Sequence, residues 1–291
     1  MKRRLPELML LVASVVWGGT FLATRTALAG VGPFTLVFLR FAIGAIVIGA
    51  FVRRKPTASE IQGAILVAVA TAIALVNQTI GLKTVESARA AFITALYVPL
   101  VPLLQGPLTG RRPTSGMILG AVVAFFGLAA LASDGDLSLK VGLGEILILV
   151  GALASALQIV LVGRFATANG DPMPTTVVQL AGVALLALSG ATGEPLHVTS
   201  TGLILAGGLG LFATAGCYWA MNYAQRTVPP TRATLIYALE PVFAAIFGVM
   251  AGEKLGVWGC LGGGLVVAGA LIGEFWPQKL RVGGEPLATE G

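Results

Sequence analysis

The stretch Thr84-Val85-Glu86-Ser87-Ala88-Arg89-Ala90-Ala91-Phe92-Ile93-Thr94-Ala95-Leu96 is written again as Thr227-Val228-Pro229-Pro230-Thr231-Arg232-Ala233-Thr234-Leu235-Ile236-Tyr237-Ala238-Leu239. Seven of the thirteen paired positions are identical, at an offset of 143 residues. Gly120 and Gly127 keep nearly that spacing, falling on Gly262 and Gly269, 142 residues later. The chain reads as a duplication, with one repeat over 1–137 and the other over 138–291. Each copy contains five long apolar stretches. Five is odd, so the second copy enters a bilayer upside down relative to the first, which is the inverted-repeat plan of secondary transporters.

The bilayer itself follows from composition. Hydrophobic residues make up 56% of the chain and charged residues 11%, with a mean hydropathy of +0.90, whereas about a quarter of a soluble domain is charged. A spanning helix needs roughly 20 predominantly apolar residues. Ten stretches qualify: Glu7–Ala27, Pro33–Val52, Ile61–Leu82, Ala88–Leu108 and Ser115–Ala132, then Gly144–Arg164, Pro174–Gly193, Thr201–Gln225, Thr231–Gly252 and Gly256–Phe275. The prediction is an all-α integral membrane protein of ten transmembrane helices in two inverted five-helix repeats, with short connections and no soluble domain.

The net charge of +6 invites a nucleic-acid reading, but the basic residues sort by membrane side and form no stripe with aromatics. With a cytoplasmic N-terminus, the inner segments hold Lys2, Arg3, Arg4, Arg53, Arg54, Lys55, Arg111, Arg112, Arg164, Arg226, Arg232, Lys279 and Arg281. The outer ones hold Arg25, Lys83, Arg89, Lys140 and Lys254. Thirteen against five satisfies the positive-inside rule with both termini cytoplasmic. Lys2-Arg3-Arg4 before an apolar run also resembles a signal peptide. Its removal would leave the sixth span without a repeat partner, so the segment reads as a retained first span.

Cys217 and Cys260 fall inside predicted spans, and no disulfide is inferred. His197, the lone histidine, sits in an outer loop without metal-binding partners. The chain carries no zinc motif, no nucleophile elbow and no phosphate loop; neither cofactor nor metal is expected, and the chain is not itself an ATPase.

Four places then carry a family resemblance: Val16-Trp17-Gly18-Gly19-Thr20-Phe21, Phe38-Leu39-Arg40-Phe41, Leu239-Glu240-Pro241-Val242-Phe243-Ala244, and Gly252-Glu253-Lys254-Leu255 leading into Gly262 and Gly269. In this order and spacing the chain resembles the drug/metabolite transporter superfamily, in its EamA-type branch of two repeated modules. The repeats have diverged in charge. Gly110-Arg111 stands where the second half has Gly252-Glu253, and Arg40 faces Ala181 or its neighbours rather than a second arginine.

Ionisable groups within a membrane are costly, roughly 2.5–3.5 kcal/mol at a helix centre on insertion scales, so each is a functional candidate. Glu240 lies about nine residues into its span and is followed by Pro241, which removes a helical hydrogen bond and frees a carbonyl one turn earlier, near Tyr237. Glu240 reads either as a cavity group binding an ammonium or a coupling proton, or as a protonated structural carboxyl. Pro99 and Pro102 interrupt the fourth span at the corresponding place, with Tyr97 opposite Glu240. Two proline-interrupted helices in matching positions point to a midplane site, and they are the expected gate; simple packing kinks are the alternative. Arg40, seven residues beyond Pro33, can snorkel to the interface and is assigned a structural role.

The resemblance implies a cavity built by the first, third, fourth, sixth, eighth and ninth spans. That selects Trp17, Asn77, Gln78, Tyr97, Gln158, Tyr218, Asn222, Tyr237 and Glu240 as cavity residues, and sets Gln179 aside. Gly116 and Gly120, with Gly259, Gly262, Gly263 and Gly264, offer faces for close helix approach, within a monomer or between two.

A phosphate-bearing substrate calls for fixed cationic donors, and the sequence places none near the midplane. A neutral or zwitterionic metabolite fits better. The resemblance to amino-acid exporters makes an aromatic or large apolar amino acid the leading substrate, exported across a bacterial inner membrane by alternating access. A lipophilic cation is the alternative, since one acid in an apolar cavity suits a cation. A polytopic enzyme acting on lipids is the rival of another class; it would need clustered acids, histidines or an activated nucleophile, which the spans lack.

Overall fold

The computed structural model describes residues 4–110, 112–133, 142–166, 170–194, 198–250 and 256–276. The repeat boundary at 137/138, His197 and Gly252-Glu253-Lys254-Leu255 lie outside the described residues. Among the described residues all regular structure is helical. The first half contains α1 (Leu5–Ala27), α2 (Pro33–Gly49), α3 (Ala58–Gly81), α4 (Ser87–Thr94), α5 (Tyr97–Thr109) and α6 (Ser115–Ser133). The second contains α7 (Leu143–Phe165), α8 (Met173–Ala191), α9 (Ser200–Gly208), a π-helical segment (Leu209–Gly216), α10 (Cys217–Ala224), α11 (Pro230–Tyr237), α12 (Glu240–Met250) and α13 (Val257–Phe275). Helices α4 and α5 form one span, as do α11 with α12 and α9 with α10 across the π segment. Among the described residues, seven spans are long and apolar enough to cross a membrane, and Pro33–Gly49, Ser115–Ala130 and Cys260–Gly273 are shorter apolar helices. All ten expected spans are thus helical.

Local chemistry sets the helix starts. Prolines occupy the first turns of α1, α2, α8 and α11, where a missing N–H costs nothing. Helix α3 opens with a capping box: the Thr57 hydroxyl accepts from the Glu60 amide and the Glu60 carboxylate from the Thr57 amide. The repeat uses threonine again at α9, where Thr199 Oγ1 accepts from the Gly202 amide at 3.1 Å.

The halves interlock about a pseudo-two-fold axis. Helix α6 packs on α13 and α2 on α8, each pairing a span with its own repeat mate. The packing of α3 on α7 is mirrored by α1 on the eighth span, and that of α5 on α7 by α12 on α1. Exchanging span n for span n+5 carries one set of contacts onto the other. Sequence decides how closely the fifth and tenth spans approach: a Cβ at Gly120 would lie 2.5 Å from the Gly269 carbonyl oxygen, and one at Gly127 2.8 Å from that of Gly262. The duplicated glycines therefore face each other within one molecule. Gly264 has open space and Gly263 meets only Val242 at 3.9 Å.

At one end of the bundle the Glu194 carboxylate accepts from the amides of Phe34 (3.0 Å) and Thr35 (2.9 Å) and from the Thr35 hydroxyl (2.8 Å). This satisfies donors that the first turn of α2 cannot pair internally and ties the seventh span to the second. Glu194→Ala is expected to lower stability by about 0.5–2 kcal/mol, the usual worth of a cap, read as a fall in the melting temperature of the purified protein. Arg89 and Arg232, equivalent in the two copies, pair with Glu145 at 3.3 Å and Glu7 at 3.0 Å. The same contact thus joins span 4 to span 6 and span 9 to span 1.

Candidate functional site

Both proline-bearing spans break at the same repeat position. Helix α4 stops at Thr94 and α5 restarts at Tyr97; α11 stops at Tyr237 and α12 restarts at Glu240. Between them the backbone tightens to i−3 bonds, Leu96 N–H to Ile93 carbonyl (3.2 Å) and Leu239 N–H to Ile236 carbonyl (3.1 Å). Pro99 and Pro241 cannot donate to the carbonyls of Ala95 and Tyr237, so the regular ladder has to yield there. Thr94, Tyr97, Tyr237 and Glu240, the residues flanking the two breaks, all line one central cavity.

This cavity, its open mouth included, leaves about 550 Å³ free of protein atoms. Its wall is aromatic. Trp17 packs edge-on against Tyr218 (5.7 Å between centroids) and tilted against Tyr237 (5.4 Å), and Tyr218 meets Phe41 edge-on at 5.4 Å. The π segment holds this wall in place: the Ala213 carbonyl accepts from Trp17 Nε1 at 2.9 Å, and Thr214 Oγ1 accepts from Arg40 Nε at 3.0 Å. Wide π turns recur at functional sites. Gln78 donates to Thr94 Oγ1 at 3.0 Å, and Gln158 reaches Met221 Sδ at 3.6 Å.

Of the expected cavity residues, Trp17, Gln78, Tyr97, Gln158, Tyr218, Tyr237 and Glu240 come together on this wall. Asn77 and Asn222 are placed elsewhere. The Asn77 amide donates to its own helix at the Ile73 carbonyl (2.8 Å). Asn222 donates to Thr176 and Gln179 (3.0 and 2.8 Å) beside a second recess near Glu60 and Arg226. Pro99, Pro102 and Pro241 sit in the restarted helices. Arg40 corrects the sequence reading. It is 3% exposed and lines the cavity, so a cationic donor does stand at the site. Its repeat mate is Gln179, a neighbour of Ala181: Gln179 Nε2 donates to Thr71 Oγ1 at 3.1 Å, and Thr71 and Thr214 are 143 residues apart. Thr20, Thr94 and Ser155 also line the wall; small hydroxyls inside apolar helices gave no signal in the sequence.

A ten-span inverted repeat with broken helices meeting at a central cavity defines a membrane transporter. The chain belongs to the EamA-like transporter family, whose sequence profile matches twice, over residues 4–133 and 142–273. It is similar to the uncharacterized inner membrane transporter YedA of Escherichia coli K12, 27% identical over 270 residues that cover 89% of this chain and 87% of that one. It is also similar to an uncharacterized transporter of Archaeoglobus fulgidus, 25% identical over 256 residues (85% and 78%). The Bacillus subtilis transporter YwfM is 24% identical over 290 residues, 97% of each chain. A solved crystal structure, 21% identical, superposes with a TM-score of 0.76 over 94% of this chain and 99% of its own; the likeness concerns the fold alone.

Proposed function

We propose that the protein exports small zwitterionic or neutral metabolites, foremost amino acids with aromatic or large apolar side chains. The route is alternating access through the central cavity, in a bacterial inner membrane with both termini in the cytoplasm. The supporting observation is the convergence of both helix breaks on a wall that combines Trp17, Tyr218 and Tyr237 with the amides of Gln78 and Gln158. Aromatic faces suit an apolar side chain, while amides and break-point carbonyls suit polar ends. The protein acts as a monomer whose halves rock about the cavity, the gates being the fourth and ninth spans. Glu240 on the same wall favours one second reading, a lipophilic cation as cargo.

Uptake of radiolabelled phenylalanine into proteoliposomes separates the two, with and without an imposed pH gradient. Saturable uptake blocked by apolar amino acids is the expected result, and its response to the gradient distinguishes proton coupling from facilitated passage. Absence of phenylalanine uptake together with accumulation of a lipophilic cation would replace the amino-acid reading.

A further inference from the structure

The cavity wall holds one basic and one acidic side chain that do not pair with each other. Arg40 is 3% and Glu240 9% exposed, and both line the cavity. Among the described residues the ion pairs are Arg54–Glu60, Arg89–Glu145 and Arg232–Glu7, so Arg40 and Glu240 stand apart. The guanidinium uses Nε on Thr214; its terminal nitrogens have no hydrogen-bond partner among the described residues, and neither does the Glu240 carboxyl. Besides Thr214 the guanidinium has the Phe41 ring, 5.6 Å from its carbon to the ring centre, and, among the described residues, no anionic partner; leaving a buried charge without a counter-charge is expensive, and a ligand carrying both signs would supply both partners.

The duplication supports the same conclusion independently. Thr214 receives Arg40 just as Thr71 receives Gln179, so the bond from span 2 to span 8 needs only an amide. Tyr97 occupies the break position of the fourth span that Glu240 occupies in the ninth, so the broken helix needs no carboxyl. In each case the sister repeat builds the same structure with a neutral side chain. The two ionisable side chains therefore exceed what the fold requires, and both line the one cavity.

We propose that Arg40 binds the carboxylate and Glu240 the ammonium of a zwitterionic substrate, fixing its α-amino-acid end while the aromatic wall takes the side chain. Guanidinium suits a carboxylate through its planar donor fork. This inference rests on the amino-acid reading above and adds how the two charged ends are recognised. A dianionic phosphate ester fits less well, because the one guanidinium shares the cavity with an acid.

The test is competition of radiolabelled phenylalanine uptake in proteoliposomes by phenylalanine, phenethylamine, which lacks the carboxylate, and N-acetylphenylalanine, which lacks the ammonium. For the wild-type protein, removing either charge is expected to weaken inhibition at least about tenfold, the factor that about 1.4 kcal/mol represents. Arg40→Gln copies the neutral residue of the sister repeat and keeps a donor for Thr214; it should fold, lose affinity for phenylalanine and no longer prefer it to phenethylamine. Glu240→Gln should abolish the preference over N-acetylphenylalanine. If the wild type carries phenylalanine but is inhibited equally by all three compounds, the inference is overturned while the amino-acid reading stands. Retention of both preferences in both variants would overturn it as well. The wild-type ranking decides even where a variant does not fold.

Discussion

Gly18→Val is expected to reduce initial transport rates on the order of tenfold, the factor that 1.4 kcal/mol represents, while Gly19→Val leaves them near those of the unaltered protein. A Cβ at Gly18 would stand 2.8 Å from Phe243 Cβ, 2.9 Å from the Glu240 carbonyl oxygen and 3.0 Å from the Ala244 nitrogen. Two of these are backbone atoms, which cannot rotate aside as a side chain can. Overpacking of this kind costs about 1–3 kcal/mol, and the strain is relieved only by moving α1 away from α12. The residue beside Gly18 is Trp17, and the displaced turn carries Glu240, so both sides of the cavity wall shift together and the 5.4 Å stacking of Trp17 on Tyr237 opens. At Gly19 a Cβ would meet only ring atoms of Phe247, at 3.6 and 3.7 Å, which is ordinary contact. Uptake in proteoliposomes of matched protein content measures the difference. Equal rates for the two variants would show that the spacing of α1 and α12 does not set the geometry of the site.

The largest loss of stability is expected where α6 packs on α13. A Cβ at Gly120 would lie 2.5 Å from the Gly269 carbonyl oxygen, 2.8 Å from the Gly273 nitrogen and 3.0 Å from the Gly273 Cα, so every opposing atom is backbone. Gly120→Leu forces α6 and α13 apart along their whole contact. Within a membrane, helix association draws on close van der Waals packing rather than on expulsion of water, so the lost contacts have no hydrophobic substitute. The expected destabilisation is about 1–3 kcal/mol or more, read as a lower melting temperature in detergent. Gly264→Leu, where a side chain enters open space, should leave it almost unchanged. Equal melting of the two variants would contradict the packing described.

The duplicated Thr-Val motif and the apolar runs were sufficient to read ten spans in two inverted copies, because the membrane imposes length and composition directly. Glu240, Tyr97 and the prolines were legible for a related reason: a proline's missing donor must disturb a helix wherever it stands. Which face a polar residue presents was harder to read. Asn77 and Gln78 are adjacent, yet Gln78 lines the cavity while Asn77 bonds its own helix, since successive helical residues turn by about 100° and composition does not fix the phase. Arg40 was read by its depth, which suits snorkelling, whereas its direction depends on Thr214 in a span 174 residues away. The π segment, which supplies the acceptors for both Trp17 and Arg40, left only Gly207, Gly208, Gly210 and Gly216 as a trace in the sequence. Its form arises from packing against α1 and α2, where a Cβ at Gly210 would come within 2.9 Å of the Arg40 carbonyl oxygen.

The central claim, that the cavity at the two helix breaks is the transport route, is tested most directly by labelling Ser155. This residue lines the cavity midway along α7 and differs from cysteine by one atom. Cys217 and Cys260, both free, are first replaced by alanine, and Ser155→Cys is then treated with a membrane-impermeant thiol reagent applied to one face of the membrane or the other. Labelling from both faces, slowed by phenylalanine, is the expected result; labelling from neither face, or labelling that no amino acid slows, would exclude the cavity as the route.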